Sequence, residues 1–218
     1  MRQASITRTT GETDISITLN LDGSGRASLL YPIGFVKHML NTFAKHGLFD
    51  VDVKASGDLD VDQHHLVEDT GIVLGQCFAK ALGDKKGIVR VGSCLYPMDE
   101  TLARSAVDVS GRAFLVFDAQ LTGVPLVALP APGTAGANGP QNAAGLPQEN
   151  FQTDTIEDFW QGFTAAAALT LHLEILRGRS DHHKIEALFK AAARALRCAC
   201  EIDCRAAESI PSTKGMLA

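Results

Sequence analysis

The feature that most constrains the fold is a short pattern of two histidines and a glutamate that occurs twice. It appears as DQHHLVED at residues 62–69 and as SDHHKIEA at residues 180–187. A predicted helix and a predicted strand precede each copy, so the order helix, strand, His-His helix is repeated. Because such a unit must bury an apolar face against a partner, the repeat predicts an α/β (α+β) sandwich of two duplicated halves, each a small mixed sheet packed on helices.

Hydrophobic periodicity indicates the elements of each half. The predicted helices are 36–46, 62–82, 154–167 and 182–204, and the predicted strands are 5–23, 48–58 and 169–176, with further strand candidates at 89–100 and 105–121. Residues 123–150 show no period and hold five of the eight prolines. A segment of this length is typical of a surface insertion. We therefore expect one domain, 1–218, made of two repeats, about 1–122 and 151–218, separated by this loop.

Composition excludes several classes of protein. The net charge is −5 and no block of Lys or Arg occurs, which argues against a nucleic-acid partner. The most apolar stretch, 163–176, is too short to span a bilayer, and the first residues are polar. The five cysteines include no C-x-x-C pair. We expect a cytoplasmic protein with no nucleic-acid or membrane partner.

The doubled pattern is suited to binding metal. On a helix, residues four apart share a face, so His64 and Glu68 point the same way, whereas His65 projects about 100° around the axis. The second copy offers an equivalent set. The spacing predicts two metal ions, each receiving a His/Glu pair from one helix and a His from the other. Imidazole and carboxylate without thiolate suit Mn, Fe or Zn.

The chain also resembles the imidazoleglycerol-phosphate dehydratase family over nearly its whole length. The matching stretches are RTTGET (8–13), LDGSG (21–25), KHML (37–40), DQHHLVEDTGIVLG (62–75), ALGDKKGIVRVG (81–92), PMDE (97–100), DVSGR (108–112), TLHLEIL (170–176), DHHKIEALFKAAARALR (181–197) and PSTKG (211–215). So many blocks in one order make the resemblance highly specific.

The resemblance implies a ribosomal protein S5 domain 2-like fold and a homo-oligomer, a 24-mer with its sites at subunit contacts. It also implies an enzyme of L-histidine biosynthesis. That enzyme dehydrates D-erythro-imidazole glycerol phosphate to imidazole acetol phosphate through an imidazolate held by two Mn²⁺ ions per active site.

The resemblance further implies roles for individual residues. The metal ligands would be His38, His64, His65, Glu68, Asp158, His182, His183 and Glu186. The candidate acid/base groups would be Glu12, Glu68 and Glu186. Substrate contacts would come from Glu12, His38, Arg90, Arg112, Ser212, Thr213 and Lys214, of which the cationic and hydroxyl groups suit a phosphate dianion.

Of the positions that depart from the family pattern, two lie at or beside the predicted metal ligands. Asp158 stands where the family has a histidine equivalent to His38, and Lys37 stands where an acidic residue is usual. Aspartate binds Mn²⁺, but its side chain is shorter than that of histidine and carries a charge. The alternative function is therefore a divergent relative with lost or altered activity.

Overall fold

The structure, a computed structural model, describes residues 2–126 and 150–217. Its elements, in chain order, are β1 (Gln3–Thr9), β2 (Thr13–Asn20), β3 (Ala27–Leu30), α1 (Gly34–Gly47), β4 (Asp50–Gly57), α2 (His64–Leu82), β5 (Val91–Met98), β6 (Thr101–Asp108), β7 (Phe114–Asp118), α3 (Thr155–Ala167), β8 (Thr170–Arg177) and α4 (Asp181–Cys200). None of the helices in these ranges is long and apolar enough to cross a bilayer.

The two halves have the same topology. The first sheet has the strand order β1-β2-β4-β3 and the second has β5-β6-β8-β7. In each sheet two pairings are antiparallel, and the last pairing, β3 with β4 or β7 with β8, is parallel. The element order strand, strand, strand, helix, strand, helix is therefore duplicated, which confirms the predicted α+β sandwich of two mixed sheets.

The boundary between the halves differs from the predicted one. Strands β5, β6 and β7 belong to the second sheet, because β6 pairs with β8 and β7 runs parallel to it. The halves therefore meet between Leu82 and Val91, and the division into about 1–122 and 151–218 is corrected. The inserted segment 123–150 lies within the second half, between β7 and α3, mostly outside the described residues. The equivalent connection in the first half, 31–33, is short.

Two predicted elements also have different limits. The strand predicted at 5–23 is a hairpin of β1 and β2. A hydrogen bond of 2.8 Å from Thr10 N to Thr13 O closes the turn between them. The helix predicted at 182–204 ends at Cys200, because Glu201 leaves the helical region with ψ of 145°. Ile202 then forms a β-bridge with Ile88.

The helices lie between the two sheets, where the alternating strand residues and the helix faces form the core. Ile15, Ile17 and Leu19 of β2 are fully buried beneath α2, which packs on β1 and β2. Helix α4 packs on β5 and β6 in the same way. Across the middle of the molecule α2 packs against α3, and α1 against α4.

Two glycines allow α2 and α3 to approach at backbone distance. A Cβ atom on Gly71 would lie 2.1 Å from the carbonyl oxygen of Phe159, and one on Gly75 would lie 2.4 Å from that of Phe163. Both distances are far below van der Waals contact, so a side chain at either position would force the helices apart. This contact brings Asp158, one residue before Phe159, towards the start of α2.

Candidate metal and catalytic site

One group of predicted ligands, the first half-site, consists of His64, Glu68 and Asp158. His64 Nε2 lies 3.6 Å from a Glu68 carboxylate oxygen, and His64 Nδ1 lies 3.5 Å from an Asp158 oxygen. The first two residues are one turn apart on α2, and the third comes from α3. All three side chains are more than 40% exposed, so the group faces solvent and is open to an ion.

A second group, the second half-site, consists of His38, His182 and Glu186. One Glu186 oxygen lies 3.2 Å from His182 Nε2 and 3.3 Å from His38 Nε2, and all three ligand atoms lie within 4.8 Å of one another. Here α4 supplies the His/Glu pair and α1 supplies the third group. Because α1 and α3 are equivalent in the repeat, the two half-sites draw on equivalent helices. Their geometry differs, since Glu68 and Asp158 approach different ring nitrogens of His64, whereas His38 and His182 both approach one oxygen of Glu186.

The donor set and its spacing fit a divalent ion. Donors that share one octahedral ion with bonds of about 2.1 Å lie about 3 Å apart. In the second half-site, the two distances from Glu186 to His182 and His38, 3.2 and 3.3 Å, are close to that value. Two imidazoles and a carboxylate match the chemistry of Mn, Fe or Zn.

Lys190 distinguishes the second half-site from the first. Its Nζ lies 2.7 Å from the other oxygen of Glu186, and both side chains are largely buried. Burial raises the pKa of the Glu186 carboxyl, but the Lys190 ammonium outweighs this effect, so that the pKa lies below its usual value. The equivalent residue on α2, four positions after Glu68, is the apolar Ile72. The second half-site is therefore more rigidly held and less negative than the first.

The remaining histidine of each pair faces a carboxylate, Asp58 or Glu100, that the sequence pattern did not indicate. His65 Nδ1 lies 3.0 Å from Asp58, with Glu12 at 3.9 Å. His183 Nδ1 lies 2.8 Å from Glu100, and this hydrogen bond, together with those from the backbone N–H groups of Ser180 and Arg179, lowers the pKa of Glu100 to about 2.

The repeat explains how these partners arise. Glu12 lies in the β1–β2 turn and Glu100 in the equivalent β5–β6 turn, so the two are counterparts. A carboxylate at Nδ1 fixes the tautomer of the ring and leaves Nε2 for a metal. Glu100 lies in the PMDE stretch that matches the family, but its equivalence to Glu12 becomes visible only when the two halves of the structure are compared.

We expect Glu100→Ala to weaken Mn²⁺ binding by about 10- to 100-fold, because His183 would lose the partner that orients its ring. Glu100→Gln is the matched variant, since its amide oxygen still accepts from Nδ1–H. Mn²⁺ titration of the metal-free protein, followed by the EPR signal of free Mn²⁺, measures the difference. Equal affinities for both variants would contradict the orienting role.

The predicted phosphate contacts gather in a different part of the chain. Arg90 donates two hydrogen bonds to Asp108, at 2.7 and 2.9 Å, and one from Nη1 to the carbonyl oxygen of Pro211 at 2.8 Å. It thereby holds the start of the PSTKG stretch, in which Ser212 is half-buried. Arg112 is exposed in the turn after β6.

Within one chain these groups do not reach the half-sites. Arg90 precedes β5 and Glu100 follows it, so the strand's eight residues separate the phosphate contacts from His183 by about 25 Å. Thr213 and Lys214 are exposed at the same end as Arg90. Within the described residues, the groups predicted to contact phosphate therefore lie far from His183 and do not form one assembled site with it.

Comparisons with known proteins agree on one family. The family model described as imidazoleglycerol-phosphate dehydratase matches residues 32–131 and 134–196. The protein named imidazoleglycerol-phosphate dehydratase of Lacticaseibacillus casei is 52% identical over 217 residues, covering 100% of both chains. The protein of that name from Methylorubrum populi is 48% identical with the same coverage.

Solved structures give the same result for the fold. The imidazoleglycerol-phosphate dehydratase of Staphylococcus aureus is 34% identical, with a TM-score of 0.71, and the match covers 92% of this chain and 99% of that one. The IGPD of Pyrococcus furiosus, solved in complex with (S)-C348, is 29% identical with a TM-score of 0.72 and covers 97% and 100%.

Proposed function

Because the chain belongs to the imidazoleglycerol-phosphate dehydratase family, we propose that its two half-sites serve the removal of water from imidazole glycerol phosphate, giving imidazole acetol phosphate. The chain is then a hydro-lyase of histidine biosynthesis. The observation that carries the proposal is the pair of matched His/carboxylate half-sites in a chain whose relatives of that name match over their full length.

Each half-site would hold one Mn²⁺ ion. His64, Glu68 and Asp158 would hold the first, and His38, His182 and Glu186 the second. Bound there, the ions would supply Lewis acidity toward the ring nitrogens of the substrate. His65 and His183, oriented by their carboxylate partners, would complete the ligand sets of a neighbouring copy, since in their own chain they face away from the half-sites.

Glu12 is the group we propose for proton transfer. Its carboxylate is 56% exposed and lies beside His65, within reach of a substrate whose ring is bound nearby. A carboxylate held at this position exchanges a proton with the reacting carbon or the leaving hydroxyl. Glu68 and Glu186 would contribute chiefly as ligands.

The phosphate would be held by Arg90 and Arg112 together with Ser212, Thr213 and Lys214. Arg90 uses three of its five N–H donors within the chain, so two remain for a phosphate oxygen. The hydroxyl and ammonium groups of the PSTKG stretch add donors that suit a dianion.

A homo-oligomer would join these parts. The groups proposed to contact phosphate lie about 25 Å from His183, the length of β5, so we infer that a complete site needs groups from neighbouring copies. We propose a 24-mer with sites at subunit contacts, working in the cytoplasm on a small phosphorylated imidazole. The alternative, a relative with lost or altered activity, has no support from the comparisons.

The test combines metal content with turnover. We expect the protein reconstituted with Mn²⁺ to hold about two ions per chain and to dehydrate imidazole glycerol phosphate, and expect chelation to abolish turnover until Mn²⁺ is restored. Metal analysis by mass spectrometry and an assay of product formation measure both. One ion per chain without turnover would contradict the proposal.

A further inference from the structure

The ends of the inserted segment contact the starts of both His-bearing helices. We define the two stems as residues 120–126 and 150–152, the described parts on either side of the insertion. We propose that these stems brace the metal-binding histidines, and that Gln63 and Asp181 are positioning residues through which they act. The inference rests on the proposed metal binding and adds to it a role for residues that the resemblance does not assign.

The second stem holds the start of α2 through Gln63. The Gln63 amide donates to the carbonyl oxygen of Asn150 and accepts from Gln152 N, both at 3.2 Å. The Gln63 side chain is 4% exposed and directly precedes His64. A buried amide that uses both its donor and its acceptor on one backbone segment holds that segment in a single register.

The first stem holds the start of α4 through Asp181. One Asp181 oxygen accepts from Thr122 N at 2.8 Å and from Thr122 Oγ1 at 2.6 Å. Lys184 lies 3.2 Å from the other oxygen and donates to the carbonyl oxygen of Gln120 at 2.8 Å. Asp181 and Lys184 are both buried, and Asp181 directly precedes His182.

The repeat makes these anchors equivalent. Gln63 and Asp181 each precede the first histidine of a pair, so the same position in each half receives one end of the insertion. The stems also join each other, because Leu126 and Phe151 exchange two backbone hydrogen bonds of 2.9 Å. The starts of α2 and α4 are thereby linked through one short, hydrogen-bonded structure.

An aromatic contact extends the brace into the second half-site. The ring of Phe151 lies 4.7 Å from that of Phe35 on α1, and Phe35 meets the ring of His182 edge-on at 5.1 Å. Phe151 is buried. The second stem therefore limits the orientation of a predicted ligand by packing, in addition to fixing the start of the other helix.

Two single substitutions test the brace. Gln63→Ala removes the anchor of the second stem, and Thr122→Val removes a hydroxyl donor to Asp181 without leaving the buried Lys184 unpaired. We expect Thr122→Val to weaken one of the two Mn²⁺ binding steps by about 10-fold, as partners of metal ligands do. Gln63→Ala should weaken both steps, because the second stem also carries Phe151. Calorimetric titration of the metal-free oligomer with Mn²⁺ resolves the steps.

Matched variants separate positioning from stability. Thr122→Ser keeps the hydroxyl and should restore wild-type affinity. Gln3→Ala and Thr18→Val make the same changes on the β1–β2 hairpin, at an exposed and a half-buried position, and should alter neither step. The melting temperature of each metal-free variant reports general destabilisation. The proposed bracing would be overturned if both stem variants kept their Mn²⁺ affinity. It would also be overturned if the loss of Mn²⁺ affinity in each variant only paralleled the fall in its melting temperature. A wild-type protein that binds no Mn²⁺ would instead overturn the proposed function.

Discussion

Replacing Glu12 by glutamine is expected to lower kcat by about 10²- to 10⁴-fold while the protein still binds two Mn²⁺ ions. The size of the loss is typical of removing a general acid or base. Metal content should be unaffected because Asp58, at 3.0 Å, is the nearer partner of His65 and Glu12 lies at 3.9 Å. Steady-state kinetics and metal analysis on the same preparation measure the two quantities.

The control for this change is Glu208→Gln, the same substitution at an exposed position near the C-terminus. It should leave kcat at the wild-type value. If Glu12→Gln lowered Mn²⁺ content in proportion to activity, Glu12 would be a support for the metal site. If it left kcat intact, proton transfer would have to be assigned to Glu68 or Glu186.

Replacing Asp158 by asparagine is expected to weaken Mn²⁺ binding at the first half-site by at least about 100-fold, the upper end of the range for groups that support metal ligands. The change keeps the shape of the side chain but removes the charge 3.5 Å from His64. The second half-site should retain its ion, so the protein would bind about one ion per chain.

Asp158→His decides whether the aspartate is an adapted ligand or a defective one. For an adapted ligand, both affinity and turnover should fall, since the surroundings of position 158 fit a carboxylate. A large rise in turnover would show that a histidine ligand works better at this position and that the aspartate is a defect. Glu157→Gln, on the neighbouring exposed residue, controls for changes in surface charge.

The two halves and their half-sites follow from local information. The period of the apolar residues shows the helices, and the i, i+4 spacing of His64 with Glu68 and of His182 with Glu186 shows which groups share a face. These pairs are adjacent in the structure as expected. Contributions from other helices, such as Asp158, were found only through the resemblance.

The boundary between the halves could not be predicted from the period of the apolar residues. The assignment of β7 to the second half depends on its parallel pairing with β8, and residues 123–150 separate these elements along the chain. Strand pairing over such a distance leaves no local periodic signal. Glu100 was missed for the same reason, because it reaches His183 from the β5–β6 turn, 83 residues away. Asp58 lies only seven residues before His65, but its approach to the ring depends on the irregular connection between β4 and α2, which has no periodic signal.

The two departures from the family pattern prove to be separate in space. Asp158 belongs to the first half-site with His64, whereas Lys37 lies on α1 beside His38 and lines a shallow depression with Ala27 and Leu29. Any effect of Lys37 is therefore expected at the second half-site, which already contains the Lys190 ammonium.

In each half-site, the length of the side chain and the distance between the helices together set how closely the proposed ligands approach. The Asp158 side chain is short, and it comes within 3.5 Å of His64 because α2 and α3 touch at Gly71, where no Cβ fits. In the second half-site the longer side chain of His38 extends from α1 to within 3.3 Å of Glu186. A side chain at position 71 would push α3 away from α2 and increase the distance between Asp158 and His64 without altering any proposed ligand. A glycine that is itself no proposed ligand therefore sets how closely the groups of the first half-site approach.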